Sequence, residues 1–196
     1  TITRQFGSGG REIGKKLAEA YGIPFYDNEI ISRAAKDTGF AEAAFERAED
    51  KASNSLLYSI AMGMNVFSSQ DVGFSGLSLD DRIFLAQSKV IRNVAKEGPC
   101  VIVGRCADYI LKNQENVVNL FIRATLDFRI KRAIEVEGIP KEKSAEMVMK
   151  KDKSRANYYK YHSGERWDNV LNFAIRSDLC GIDGTVACLK AYLDQM

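Results

Sequence analysis

Four small residues in a row, Gly7, Ser8, Gly9 and Gly10, are followed at once by Arg11 and Glu12 near the start of the chain. Glycine reaches φ > 0 cheaply and lets backbone come close to a ligand, so such a run can wrap a small anion with its amide groups. From Arg11 onward, Ile13, Leu17 and Tyr21 recur at i, i+4 and i+8, which predicts a helix that opens where the loop ends. The first amides of that helix have no partner within it, and the positive end of its dipole faces the same loop. Ile2 and Thr3 are β-branched and predict a short strand ahead of the loop. Strand, glycine loop and helix together predict a phosphate-holding corner built from residues 7–12.

The pattern G-x-x-x-x-G-K-[ST] fits this stretch in two imperfect registers. In residues 5–12 the final glycine is Gly10, Arg11 replaces the lysine and Glu12 stands at the Ser/Thr position. In residues 9–16 Gly9, Gly14 and Lys15 match, but Lys16 replaces Ser/Thr and Ile13 falls inside the loop. The first register is preferred, since the second leaves only a stub of helix before Gly22. Arg11 then supplies the loop's cation.

The elements that must position this corner alternate. Ile23 to Asp27 predicts a second strand that delivers an acid, with a helix from Asn28 to Lys36 carrying Arg33. Asp27 either caps that helix, with Arg33 solvated, or aims at a cleft together with Arg33. Residues 40–52 are rich in Ala and Glu and predict a helix, whereas residues 67–79 carry Ser and Gly without a period and predict a loose loop. An amphipathic helix over residues 80–97 stops at Gly98-Pro99. The unbroken apolar run Cys100-Val101-Ile102-Val103 predicts a strand buried on both faces, ending at Gly104-Arg105. A fourth strand over residues 117–122 leads to a helix from Leu126 carrying Arg129 and Arg132. Pro140 opens a strongly basic helix that ends in the charge run containing Asp152 and Arg155. Residues 173–177 and 182–193 predict a fifth strand and a closing helix. Strands alternating with helices predict a parallel α/β sheet, whose carboxyl edge would gather Gln5, Asp27, Arg105 and Arg123.

Composition narrows the function classes. With 196 residues the chain suits one domain. Its 28 basic and 26 acidic residues give no general electrostatic case for nucleic acid, even where Tyr158, Tyr159 and Tyr161 interleave with lysines. Four cysteines without C-x-x-C spacing and a single histidine argue against a zinc site, and no metal ligands are assigned. No run of about 18 apolar residues marks a membrane span, and a cytoplasmic location is expected.

Taken together, R-Q-F-G-S-G-G-R-E-I-G-K-K-L-A, G-I-P-F-Y-D with Arg33 six residues after Asp27, V-I-V-G-R, and the basic segment around Asp152 and Arg155 resemble the cytidylate kinase-like family. That family belongs with the P-loop nucleoside monophosphate kinases, and the resemblance spans nearly the whole chain, thinnest between about 40 and 80. It implies an α/β fold with a P-loop NTPase-type five-stranded parallel sheet flanked by helices, a helical monophosphate-binding insert over about 38–79 and a basic lid over about 138–166, all within one domain spanning 1–196. It implies ATP and Mg²⁺ as cofactors and a small nucleotide as substrate, with a CMP-like acceptor favoured and no nucleic-acid or membrane partner. Asp27, Arg33, Arg105 and Asp152 match acceptor-site residues, while Arg129, Arg132 and Arg155 match arginines leading into and lying on the lid. Arg11, Arg129, Arg132 and Arg155 would then neutralise the charge that spreads during phosphoryl transfer. Cys106 follows Gly104-Arg105 where cytidylate kinases carry Asp, and Arg176 sits in the last strand's nucleotide-facing region, which together leave the nucleobase open. Other small acceptors, as in dephospho-coenzyme A or shikimate kinases, and, given the absent lysine and Ser/Thr, a nucleotide-binding module without turnover are the alternatives.

Overall fold

The computed structural model describes residues 1–51, 77–169 and 172–196. Five strands are present, β1 (Ile2–Arg4), β2 (Phe25–Tyr26), β3 (Val101–Ile102), β4 (Leu120–Arg123) and β5 (Phe173–Arg176), and every pairing among them is parallel. The helices are α1 (Gly10–Tyr21), α2 (Asn28–Thr38), α3 (Glu42–Lys51), α4 (Leu79–Glu97), α5 (Ala107–Ile110), α6 (Leu126–Glu135), α7 (Lys141–Ser163) and α8 (Ser177–Leu193). Of the insert expected over about 38–79, residues 38–51, with α3, and 77–79 are described, and most of the loose loop expected over 67–79 lies outside the described residues.

The expected single five-stranded sheet is divided. One sheet has the order β1-β4-β5 and the other pairs β2 with β3, with a lone parallel bridge between Ile2 and Val103 joining them. The Gly104 amide adds one bond to the Ile2 carbonyl at 2.9 Å. Beyond it the seam stops, because Gly104, Arg105 and Cys106 all have positive φ and turn the chain off the sheet. For Arg105 and Cys106 that conformation is unfavourable, and such residues are held where the surroundings over-determine them.

Helices cover both faces. Ile13 and Leu17 of α1 and Leu189 of α8 pack with Ile2, Val103, Leu120 and Ile122 in one core. On the other side Ile30 and Ile31 of α2, Phe45 of α3, Ile83, Ile91 and Val94 of α4 and Tyr158 of α7 share a second core with Tyr26 and Ile102. Gly14 lets α1 settle on the sheet, since a Cβ there would stand 3.0 Å from both Ile2 and Val103.

Sequence periodicity misplaced two helices. The basic helix does not end in its charge run but continues as α7 to Ser163, so Asp152, Arg155 and Tyr159 stand on one face at spacings of three and four. Tyr158 and Tyr159 are buried, which removes them as RNA-stacking surfaces. The closing helix begins at Ser177, directly after β5, with a break at Gly181 (φ 66°) where the sequence put its start.

Two outcomes follow from this packing. Ile122 is fully buried in the central strand, so Ile122→Ala costs about 2–5 kcal/mol, read from the urea midpoint at unchanged m-value. His162 lies flat on Phe84 at 3.9 Å between ring centroids, and burial lowers its pKa to about 4. Because the unfolded imidazole titrates near its ordinary 6.5, stability from this group is complete above that pH and is lost as pH falls toward 4. His162→Phe therefore loses less stability than the wild type between pH 7 and 5, which urea titrations at both pH values measure.

Candidate functional site

Residues 5–9 connect β1 to α1 in a tight arch. Gly7 and Gly9 have φ of 76° and 80°, and Gly9 is the N-cap of α1 with no side chain capping the helix. A side chain at Gly7 would strike the carbonyl of Arg129, and one at Gly9 would strike Ile182. The arch is fastened from inside: the buried Ser8 hydroxyl donates to the Gln5 carbonyl at 2.8 Å, and Ser177 donates to the Ser8 carbonyl at 2.6 Å. Ser8 thus contributes rigidity and spends its hydroxyl within the loop. The open end of α1, with its first amides and positive dipole, faces the concavity.

Two arginines of α6 and two residues of α7 close around this arch. Asp152 accepts the Phe6 amide at 2.7 Å and pairs with the buried Arg129, which also donates to the Phe6 carbonyl at 3.4 Å. One turn further along α6, Arg132 pairs with Glu12 at 2.7 Å beside Gly9. Arg155 donates to the Arg4 carbonyl at 3.2 Å and lies over the Phe6 ring. Grouped by the sequence with acceptor residues, Asp152 stands instead on the loop side.

Arg11 departs from its expected position. Its side chain is largely exposed and its Nε meets the buried carboxylate of Asp27 at 2.7 Å. Asp27 does occupy the N-cap position of α2, but its side chain makes no capping bond. Arg33 does not join it. Instead it is held by Glu29 at 2.8 Å and by Glu97, which ends α4 just ahead of β3, and it lies over Tyr26. Asp27 and Arg33 are thus engaged by different partners, the arginine by a local i, i+4 carboxylate.

Arg105 is brought to the site. Buried after β3, it lines a small cavity of about 30 Å³ at the carboxyl edge with Arg4, Arg155, Tyr158, Tyr159 and Trp167. Tyr159 donates to Asp108 at 2.9 Å, and burial raises the pKa of that carboxyl even though the tyrosine hydrogen bond opposes it. Arg176, expected to face a nucleotide, is paired with Asp178 at 2.5 Å. Sequence reasoning gave no site role to Arg4, although it opens the R-Q-F-G-S-G-G-R stretch, nor to Tyr159 and Trp167, which belong to no motif of fixed spacing. The spacings of four and three from Tyr159 back to Arg155 and Asp152, visible once the basic helix is carried past its charge run, are the signal that could have found Tyr159.

A model of the cytidylate kinase-like family matches residues 1–176. Cytidylate kinases of Pyrococcus horikoshii and Methanopyrus kandleri are 24% and 25% identical to the chain, covering 100% and 97% of it and 88% and 90% of their own lengths. Among solved structures, an uncharacterized protein from Eubacterium ventriosum superposes with a TM-score of 0.69 at 27% identity, covering 100% of this chain and 97% of that one. A shikimate kinase from Bacteroides thetaiotaomicron shares the fold with a TM-score of 0.56 at 14% identity, over 98% and 96% of the two chains. No helix among the described residues is long and apolar enough to cross a membrane.

The Arg129–Asp152 pair yields a test of its own. Removing either partner strands a charge at the loop, so Asp152→Ala and Arg129→Ala each cost about 3–5 kcal/mol, while Arg166→Ala, at an exposed pair, costs under about 1 kcal/mol. A double-mutant cycle on 129 and 152 returns a coupling above about 1 kcal/mol in urea unfolding.

Proposed function

Because the chain belongs to the cytidylate kinase-like family, we propose that it transfers the γ-phosphoryl group of ATP to a nucleoside monophosphate, with CMP the favoured acceptor. The observation that carries this reading is the gathering of Arg132 and Arg155 at a glycine arch, with Arg105 sharing a cavity with Arg155 and Arg4 at the carboxyl edge of parallel strands. Phosphoryl transfer asks a protein mainly for position and charge neutralisation, and this arrangement supplies both without a nucleophilic side chain.

In this reading the amides of residues 7–12 cradle the ATP phosphates. Arg129 and Asp152 hold the arch in shape, and Arg132 and Arg155 neutralise charge on the transferring group. Arg105 takes the acceptor phosphate, for which its planar fork is suited. Asp27 and Arg11 brace the start of α1 against α2, and Arg33, occupied by Glu29 and Glu97, is left outside the acceptor pocket. The chain is taken as one kinase domain, with an insert over about 38–79 and a lid over about 138–166, working in the cytoplasm. Exclusion of water by α7 would suppress hydrolysis of ATP.

Mg²⁺ fits this reading only as a passenger on the nucleotide. Among the described residues no group of three His, Cys, Asp or Glu is placed to hold a metal, the Glu12 carboxylate is taken by Arg132, and the Ser8 hydroxyl is turned inward. Phosphate oxygens and water would complete its shell.

A thermal-shift panel followed by an ADP-release assay tests the proposal. Mg-ATP and CMP, each at about 100 times its Kd, stabilise the protein by about 2.7 kcal/mol, and the mixture releases ADP. Arg105→Ala raises KM for the acceptor about tenfold or more at little change in KM for ATP. Absence of ADP above background with every monophosphate and small alcohol tried would overturn the reading.

A further inference from the structure

A third register, residues 4–11, keeps only one of the pattern's four fixed positions. Arg4 then stands at the first glycine, Gly9 at the second, Gly10 at the lysine and Arg11 at Ser/Thr. The fold singles this register out. Gly9 closes the arch as the left-handed N-cap and Gly10 is the first residue of α1, where the pattern sets its lysine.

The space for that missing side chain is filled from elsewhere. A Cβ on Gly10 would lie 2.6 Å from Cβ of Arg4 and 3.0 Å from its Cγ, so the stem of Arg4 runs through the volume a residue-10 side chain would enter. Further out, the Arg4 guanidinium rests on Gly104, where any side chain would collide with its Nη1. Two glycines on different elements thus clear the path of one arginine. Its tip reaches the cavity it shares with Arg105 and Arg155.

We propose that Arg4 is the loop's phosphate-binding cation. Launched from the end of β1 rather than from the start of α1, it takes the place of the absent lysine and binds the polyphosphate chain of the nucleotide. A guanidinium suits the exchange, because its fixed fork binds two phosphate oxygens from a stem that packing has already oriented. Arg11 is largely exposed and its guanidinium is engaged by Asp27, so the role passes to Arg4. The nucleotide as ligand rests on the kinase reading, whereas the position of the cation does not.

The test compares wild type, Arg4→Ala, Arg4→Gln, Gly10→Lys and the double variant Arg4→Gly/Gly10→Lys, with tripolyphosphate, ATP and CMP titrated separately by calorimetry. Arg4→Ala and Arg4→Gln weaken tripolyphosphate and ATP at least about tenfold, which is about 1.4 kcal/mol, and weaken CMP by less, the tip of Arg4 sharing its cavity with the acceptor-side Arg105. Gly10→Lys alone also weakens both, since its side chain meets Arg4, and the double variant recovers most of the affinity by returning the cation to α1. Arg4→Ala binding tripolyphosphate as wild type does, a loss confined to CMP, or a loss in Arg4→Ala absent from Arg4→Gln overturns the proposal; so does a double variant no better than either single one. Wild type that binds tripolyphosphate through Arg4 yet releases no ADP with any acceptor defeats the kinase reading and leaves Arg4 in place. Wild type that binds neither tripolyphosphate nor ATP defeats both.

Discussion

A charge taken out of water must be met by another, and the buried pair of Arg129 with Asp152 meets that demand around the one loop on which the site depends. Asp152 grips the Phe6 amide and Arg129 the Phe6 carbonyl, so a single residue of the arch is held through both of its peptide groups by α6 and α7. Glycines alone would leave that arch with many conformations of similar energy. The pair selects one, and it does so from helices more than a hundred residues further along the chain. With the arch set, the open end of α1 points into a concavity of defined shape.

The same pair fixes where α7 lies. Arg155, one turn beyond Asp152, is thereby delivered to the Arg4 carbonyl and the Phe6 ring, and Tyr159 to Asp108. A 23-residue helix with so little apolar character would be a poor element by itself. Tertiary contacts anchor it against α3 and α6, with the buried Tyr158 and Tyr159 reaching Gln87 of α4 and Asp108 of α5, so its charged face is free to serve the arch. Cationic side chains around the site are consequently held in advance by carboxylates and carbonyls. That arrangement lowers the ordering cost of meeting a phosphate but asks some partners, such as Glu12, to release their arginine.

Much of the plan was legible. The parallel α/β alternation, the glycine arch between strand and helix, and the arrival of Gln5, Asp27, Arg105 and Arg123 at strand ends follow from local patterns of two and 3.6 residues. Other expectations failed for physical reasons that can be named. The continuous sheet gave way at Gly104 to Cys106, where two residues not disposed to positive φ adopt it under tertiary pressure. Arg33 was drawn to Glu29 on its own helix, and Arg11 to the one buried carboxylate within its reach.

The amino-acid sequence by itself determined the order and type of the elements and the loop's chemistry, since backbone conformation answers first to near neighbours in the chain. Which cation enters that loop was decided only by the tertiary structure. Spacing pointed to Arg11 or Lys15, because a motif counts residues along the chain. The side chain of Arg4 instead crosses Gly10 and rests on Gly104, contacts that form only once β1, α1 and β3 lie side by side. A side chain's direction is settled by the packing around it, and that packing joins residues a hundred positions apart.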